Sequence, residues 1–399
     1  MELTVVGIGA DGWPGLCEEA RRALGAAEVV IGSARQLTLV DGPVTKVTWP
    51  SPMLPAIPAL LSAHAGRRIC VLASGDPMFF GVGATLARLV GPGALRVIPH
   101  VSSVSLACAR LGWAVEETEV VSLVGRPLDT LRLAVRPGRR VLVLSATGAT
   151  PARVADLLRT QGFGPSPMTV FEDLGGPAES RRTGTAISWR PHPVGALNLV
   201  AIDCRPAPDA VVLPRGPGLP DRAFEHDGAL TKREVRAVTL AALAPLPGEL
   251  LWDIGAGSGS IGIEWMRTDP GCHAVAVEAN PDRAARITRN AHTLGVPTLR
   301  VVVAKAPAAL TGLPTPAAVF IGGGLTTDGL LDACWSALPP GGRLVANAVT
   351  LDSEAVLSDW HRERGGTLTR IEISRASPLG GFTGWRPMMP VTQWLVTRR

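Results

Sequence analysis

Two glycine turns in this chain follow strand-like runs, and each could bring backbone amides close against a ligand. Residues 250–264 read Leu-Leu-Trp-Asp-Ile-Gly-Ala-Gly-Ser-Gly-Ser-Ile-Gly-Ile-Glu, a buried strand entering a turn that opens a helix. Gly255, Gly257 and Gly259 permit positive φ and close backbone approach. A dinucleotide fingerprint requires G-x-G-x-x-G. Here the spacing is G-x-G-x-G, with Ser260 where the third glycine would stand, which favours a different adenosyl ligand. The next strand ends at Glu278, about 20 residues after Gly259, where a carboxylate can accept both ribose hydroxyl protons. Near the N-terminus, Leu3-Thr-Val-Val-Gly-Ile-Gly-Ala-Asp-Gly12 places Gly7, Gly9 and Gly12 at nucleotide spacing. No acidic strand end follows it about 20 residues on, because Val29-Val30-Ile31 runs into Gly32-Ser33.

Other chemistries are excluded by composition. The 399 residues contain no Tyr, so no phenol serves as acid, base or nucleophile. Basic residues are 36 Arg against Lys46, Lys232 and Lys305. Codon usage accounts for that bias, or the planar guanidinium suits carboxylate and phosphate ligands. The formal charge is only +5, and no basic run is interleaved with aromatics, so a polyanionic small molecule is expected as partner rather than nucleic acid. The six cysteines are scattered without C-x-x-C or Cys/His metal spacing, which predicts a reduced compartment and no metal. Neither a basic leader nor a stretch of 18 apolar residues occurs, so the expectation is a cytoplasmic protein without membrane association.

The elements that must carry these turns follow an α/β pattern in both halves. Length favours two domains. The boundary is expected at 205–220, where Pro206, Pro208, Pro214, Pro217 and Pro220 alternate with Gly216 and Gly218 and stiffen the chain into a linker. In domain 1–204, strands are predicted at Leu3–Ile8, Ile69–Ala73, Arg96–Ile98, Val120–Val124, Val141–Leu144, Met168–Glu172 and Leu197–Ile202. In domain 221–399, strands at Leu250–Ile254, Ala274–Glu278, Leu299–Val303, Ala317–Ile321 and Arg343–Ala346 alternate with helices near Ser260–Arg267, Pro281–Leu294 and Thr327–Leu338. This is the pattern of a doubly wound parallel sheet. The runs Thr367–Arg375 and Pro390–Thr397 leave little room for a crossover and should pair antiparallel at the sheet edge.

With the glycine turn and Glu278 in place, residues 221–399 resemble the class I S-adenosylmethionine-dependent methyltransferases, a Rossmann-like fold. The entry Asp221-Arg-Ala-Phe-Glu-His-Asp-Gly-Ala-Leu-Thr-Lys-Arg-Glu-Val-Arg236 is similar to that of decarboxylating precorrin methyltransferases. Thr231 fits a helix N-cap, with Glu234 completing a capping box. The resemblance implies cofactor contacts from Thr231, Gly255, Ala256, Gly257, Ser258, Gly259, Glu278 and Ala306. Lys305 stands where related enzymes place a small or acidic residue. In place of an Asn/Asp-Pro-Pro-Tyr amine-positioning loop the chain has Phe320-Ile-Gly-Gly-Gly-Leu325, so Gly322, Gly323 and Gly324 are candidates to open the site to a planar substrate. Asn347 follows a strand and matches the family's active-site edge, the candidate catalytic residue; a turn asparagine is the alternative.

In the first half, Ala73-Ser-Gly-Asp-Pro-Met-Phe-Phe-Gly81 and Ile98-Pro-His-Val-Ser-Ser-Val-Ser-Leu-Ala-Cys-Ala-Arg-Leu-Gly112 resemble the tetrapyrrole methylases, an unrelated α/β fold of class III methyltransferases. The resemblance covers residues 1–204 and implies that Gly75, Asp76, Ser102 and Ser103 bracket a folded cofactor, with Gly7 and Gly9 toward the substrate. His100, where relatives have Gly, is assigned no role.

The two halves in this order resemble the decarboxylating precorrin-6Y methyltransferases of cobalamin synthesis. That implies S-adenosylmethionine at one site per domain and methylation of a precorrin-6 tetrapyrrole. C5 falls to the first domain and C15 to the second, with loss of the ring C acetate as carbon dioxide, giving precorrin-8. A homo-oligomer and contacts with other pathway enzymes are also expected. The substrate's carboxylates give Arg222, Arg233 and Arg236 a use as anchors, although solvated surface is an equal alternative for each. An RNA methyltransferase and a non-catalytic tetrapyrrole carrier are the rival readings.

Overall fold

The computed structural model describes residues 3–399. The chain divides into two compact units, one running to Leu128 together with Ala134–Val211, the other comprising Asp129–Leu133 and Val212–Arg399. No helix among the described residues is long and apolar enough to cross a membrane.

The first unit contains two sheets. Strands β1 (Leu3–Ile8), β2 (Val29–Gly32), β3 (Thr45–Thr48), β4 (Ile69–Ser74) and β5 (Leu95–Ile98) form a parallel sheet in the order β3-β2-β4-β1-β5. Alternate residues of its central strands fill two cores: Val6, Ile8, Val30 and Leu72 on one face, Leu3, Val5, Ile31 and Val71 on the other. That explains why these strands read as continuous apolar runs. The second sheet, β6 (Thr118–Ser122), β7 (Arg140–Leu144), β8 (Pro167–Glu172), β9 (Ser180–Thr185) and β10 (Asn198–Asp203), is mixed, in the order β6-β7-β10-β8-β9. Helices α1 (Glu18–Ala26), α2 (Ala34–Thr38), α3 (Met53–Ala63), α4 (Val82–Val90), α5 (Ser103–Leu111) and α6 (Thr150–Thr160) belong to this unit.

In the second unit, α7 (Arg233–Leu243), β11 (Leu250–Ile254), α8 (Ser260–Thr268), β12 (His273–Glu278), α9 (Pro281–Thr293), β13 (Arg300–Val303), β14 (Ala318–Ile321), α10 (Leu330–Ala337), β15 (Arg343–Ala348) and α11 (Leu351–Arg364) precede four strands: β16 (Thr367–Ile371), β17 (Ser374–Leu379), β18 (Phe382–Pro387) and β19 (Val391–Thr397). The sheet order is β13-β12-β11-β14-β15-β19-β16, parallel except for β19, which runs antiparallel to both neighbours. Leu251, Ala274, Ala276 and Phe320 pack on one face with α8 and α9, while Trp252, Ile254, Val277 and Val319 pack on the other with α10 and α11. Each fully buried side chain of this kind contributes about 1.5–3 kcal/mol.

The structure differs from expectation in several elements. The run 367–375 is not one strand, since it breaks after Ile371 and β17 pairs with β18 in a separate hairpin. The edge pairing is β16 with β19, and β19 inserts between β15 and β16. Strands β3 and β9 and helix α11 had no sequence signal strong enough to announce them. The latter part of the proline-rich segment is built into the second unit: the amides of Gly218 and Leu219 donate to Glu264 at 2.6 and 2.9 Å, and Leu219 is fully buried.

Candidate functional site

The winding of the second sheet reverses between β11 and β14, and ligands of doubly wound folds bind where the carboxyl ends of such strands diverge. The Gly255–Gly259 turn and the Gly322–Gly324 loop both lie there. The amide of Gly322 donates to the Ile254 carbonyl at 2.9 Å. A Cβ on Gly255, at φ +67°, would stand 3.0 Å from the Gly323 backbone. Gly257, at φ +59°, lies beneath the Ala229 carbonyl, and its N–H donates to Glu278 Oε2 at 2.8 Å. Oε1 of the same carboxylate accepts from the Asn280 N–H at 2.9 Å. Each oxygen keeps a free lone pair, so Glu278 is fixed in place and can still accept two hydroxyl protons.

A cavity of about 810 Å³ opens over this turn. It is lined by the expected Thr231, Gly255, Ala256, Gly257, Glu278, Ala306, Gly322, Gly323, Gly324 and Asn347. Side-chain-free backbone, an oriented carboxylate and apolar walls from Ile254, Val277 and Phe320 fit an adenosyl group. Ser258 and Gly259, also expected at the cofactor, do not line the cavity. Ser258 is buried, its hydroxyl donating to Ala229 O at 2.8 Å, and a Cβ on Gly259 would collide with Ile287, so these two residues hold the turn against its neighbours.

The three proposed arginine anchors also require correction. Arg222 and Arg233 are exposed and lie off the cavity. Arg236 is completely buried. Its Nε donates to Glu264 Oε1 at 2.6 Å, its remaining nitrogens donate to Asp221 and to the carbonyls of Thr231 and Leu219, and its guanidinium lies 4.7 Å from the centre of the Phe224 ring. With four of its five N–H groups engaged and the side chain wholly buried, it is not exposed to a substrate. The expected capping box is absent as well. The N-cap of α7 is Lys232 with no side-chain cap, the Thr231 carbonyl is engaged by Arg236, and the Glu234 carboxylate is drawn to Arg375.

Asn347 is held in a network that the sequence did not reveal. Its Nδ2 donates to Thr239 Oγ1 at 3.0 Å and its Oδ1 accepts from Gln393 Nε2 at 2.9 Å. One N–H and one lone pair of the amide remain for a ligand. Gln393 comes from β19, whose register pairs it with Asn347; an isolated polar residue in a C-terminal strand gave no cue. Beneath the turn, Asp253 is buried, with Oδ2 accepting from Gly262 N–H at 2.9 Å. Burial pushes its carboxyl up to about 7, the Gly262 donor opposes that shift and the Glu278 charge adds to it.

In the first unit, a smaller cleft of about 90 Å³ lies between the two sheets, with Gly9, Gly75 and Ser103 in its lining beside Phe171 and Leu199. Gly75 adopts φ +59°, and a Cβ there would stand 3.1 Å from Ser102 Cα, so the two expected segments meet. Asp76 and Ser102 shape these segments without lining the cleft: Asp76 Oδ1 accepts from the Met78 N–H, and the Ser102 hydroxyl caps α5 by accepting from the Ser105 N–H. Gly7 is a correction. It is buried, and an added Cβ would collide with the Gly75 carbonyl, so its role is close packing of β1 rather than substrate contact. His100 Nε2 lies 3.2 Å from Asp11 Oδ1.

A family model of tetrapyrrole (corrin/porphyrin) methylases matches residues 2–187, and one of the precorrin methyltransferase domain matches residues 222–398. Over 398 residues the chain is 53% identical to the precorrin-6Y C(5,15)-methyltransferase (decarboxylating) of a Sinorhizobium species, with 99% of this chain and 96% of the relative covered. The chain belongs to the precorrin-6Y C(5,15)-methyltransferase (decarboxylating) family. Members of this precorrin methyltransferase family are transferases, and methyltransferase membership implies use of S-adenosylmethionine. Two shorter relatives are a probable cobalt-precorrin-6B C(15)-methyltransferase (decarboxylating) of Pyrobaculum calidifontis, 34% identical over 44% of this chain and 93% of its own length, and a cobalt-precorrin-7 C(5)-methyltransferase of Salmonella typhimurium, 30% identical over 49% and 92%.

Proposed function

We propose that the chain methylates a precorrin-6 tetrapyrrole at C5 and C15 and removes the ring C acetate as carbon dioxide in cobalamin synthesis, giving precorrin-8, with C5 methylation in the first unit and the other two steps in the second. The observation that carries the second-unit assignment is the Gly257–Glu278 hydrogen bond at the switch point, opening onto a cavity large enough for more than a nucleoside. The division of labour is supported by the two shorter relatives, in which the C(15) and C(5) reactions reside in separate proteins, each matched over less than half of this chain.

S-Adenosylmethionine supplies an electrophilic methyl group when bound. Residues of the second unit position the partners. The glycine turn and Glu278 would hold the adenosyl end, with Thr231, Ala256 and Ala306 also in the cavity wall. Apolar walls exclude water, and Gly322–Gly324 leave one side without side chains where a flat macrocycle can lie. Asn347, locked by Thr239 and Gln393, presents one donor and one acceptor to the substrate edge. A meso carbon conjugated to ring nitrogens is itself nucleophilic, and the macrocycle accepts the electron pair released when carbon dioxide leaves. Positioning can therefore supply much of the acceleration without a phenol or an added base. In the first unit, Gly75 and Ser103 would bracket a second molecule of cofactor. The partners expected beyond substrate, a second copy of the chain and other enzymes of the pathway, remain part of this proposal.

Mass spectrometry of reduced precorrin-6 incubated with the protein and methyl donor tests the reading. A gain of two methyl groups with loss of carbon dioxide is expected, and an unchanged mass would overturn it.

A further inference from the structure

The chain keeps only three lysines beside its 36 arginines, and two of them, Lys232 and Lys305, line the same cavity. The third, Lys46, is occupied by the carbonyls of Leu37 and Val40. We infer that Lys232 binds a peripheral carboxylate of the tetrapyrrole in the second unit, a conclusion that rests on the proposed function.

The cations around the cavity separate by their partners. Arg283 also lines it, but its Nε is bound to Asp227 Oδ2 at 2.9 Å. Arg236, one turn along α7 from Lys232, is buried and bound to Glu264 and Asp221. Arg375 is paired with Glu234 and Asp221. Lys232 and Lys305 have no hydrogen-bond or ion-pair partner among the described residues. The two lie at different places in the cavity wall. Val303 pairs with Glu278, so Lys305, two residues beyond β13, belongs to the side where Glu278 and Gly257 form the candidate adenosyl site. Lys232 begins α7, the helix that contributes Val235 to the cavity wall and reaches Asn347 through Thr239. Through α7, whose N-cap is Lys232, we assign Lys232 to the substrate end.

Lys232 is a half-exposed ammonium without a protein partner in the wall of a cavity that also includes Val349, Met389 and Val391, free to meet an anion that enters. The substrate presents acetates and propionates on flexible stems. A compact ammonium with three rotatable donors can follow such a group, whereas a guanidinium fork demands one fixed bidentate geometry. The methionine end of the methyl donor also carries a carboxylate, so the test must separate these two sources.

Lys232→Met, Lys232→Arg and wild type should be compared for the KM of the reduced precorrin, for S-adenosylhomocysteine affinity and for thermal midpoint. The expected result for Lys232→Met is a rise in KM of about 10- to 100-fold, the loss of one charge-assisted hydrogen bond. Homocysteine-form affinity should stay within about twofold and the midpoint should not move, while Lys232→Arg recovers most of the KM. Equilibrium binding of the tetrapyrrole, followed by quenching of tryptophan fluorescence, should weaken in parallel. Unchanged KM in Lys232→Met overturns the inference. A fall in S-adenosylhomocysteine affinity with KM intact also overturns it, by giving Lys232 to the methyl donor. Absence of turnover by wild type would instead overturn the functional reading beneath it.

Discussion

The two units, each proposed to hold a methyl donor, differ in the charge they bury. Among the described residues the first buries no charged side chain, only neutral ones such as Thr4, Gln36 and Ser166. The second buries Arg236, Asp253, Glu264, Arg267 and Glu278. Their openings differ as well, about 90 Å³ against about 810 Å³. In the second unit, burying charge is tied to making the site. Glu278 orients the turn, and the Glu264–Arg236 pair fastens residues 218–219 and the Thr231 carbonyl around the start of α7. In the first unit, the cleft is shaped by backbone close approach at Gly7, Gly75 and the cap of α5. Both candidate sites use glycine for close backbone approach, and only the second adds buried charge.

The contrast predicts different responses to substitution. The largest effect should follow from breaking the buried pair. Arg236→Met leaves Glu264 uncompensated and should cost about 3–5 kcal/mol in denaturant unfolding, whereas replacing both partners with apolar residues costs much less. A loss under about 1 kcal/mol in Arg236→Met would remove the electrostatic half of the comparison.

Next comes Asp253. Its native carboxyl, pushed up to about 7, retains a proton that the unfolded chain releases near its ordinary value of 3.8. The associated stability is complete below about pH 4 and is lost as pH rises through about 7, by as much as ~4 kcal/mol. Asp253→Asn should flatten that part of the stability profile, as read from thermal midpoints between about pH 4 and 8.

Smaller effects sharpen the comparison at the ligands. Gly257→Val places a branched side chain at positive φ under Ala229 and should weaken S-adenosylhomocysteine binding at one site by about 100-fold, leaving the other intact; Gly75→Val should do the converse. Calorimetry that showed both sites weakened by one substitution would contradict their independence. Smallest, Glu278→Gln removes the charge but keeps an acceptor for Gly257, so about a tenfold loss at one site is expected in the same titration.

Much of this was legible in the amino-acid order. Leu3–Ile8 and Leu250–Ile254 are apolar except for Thr4 and Asp253 because both faces of a parallel sheet are covered, and glycines at φ above zero mark the turns that follow. What could not be read depends on contacts distant in sequence. Arg236 looked like a free anchor on a helix because its partner Glu264 lies on α8 and Leu219 in the proline-rich segment. The capping box at Thr231 does not form because the helix is capped one residue later, at Lys232, and Arg375, on the β17–β18 hairpin, takes Glu234. Gln393 reaches Asn347 only through strand register. Lys232 was visible as one of three lysines, but only the cavity shows where it stands.

Two unlike cofactor sites in one chain should bind two molecules of cofactor product. Calorimetric titration of the intact protein with S-adenosylhomocysteine tests it most directly. Two molecules bound per chain is the predicted result, and saturation at one would contradict it.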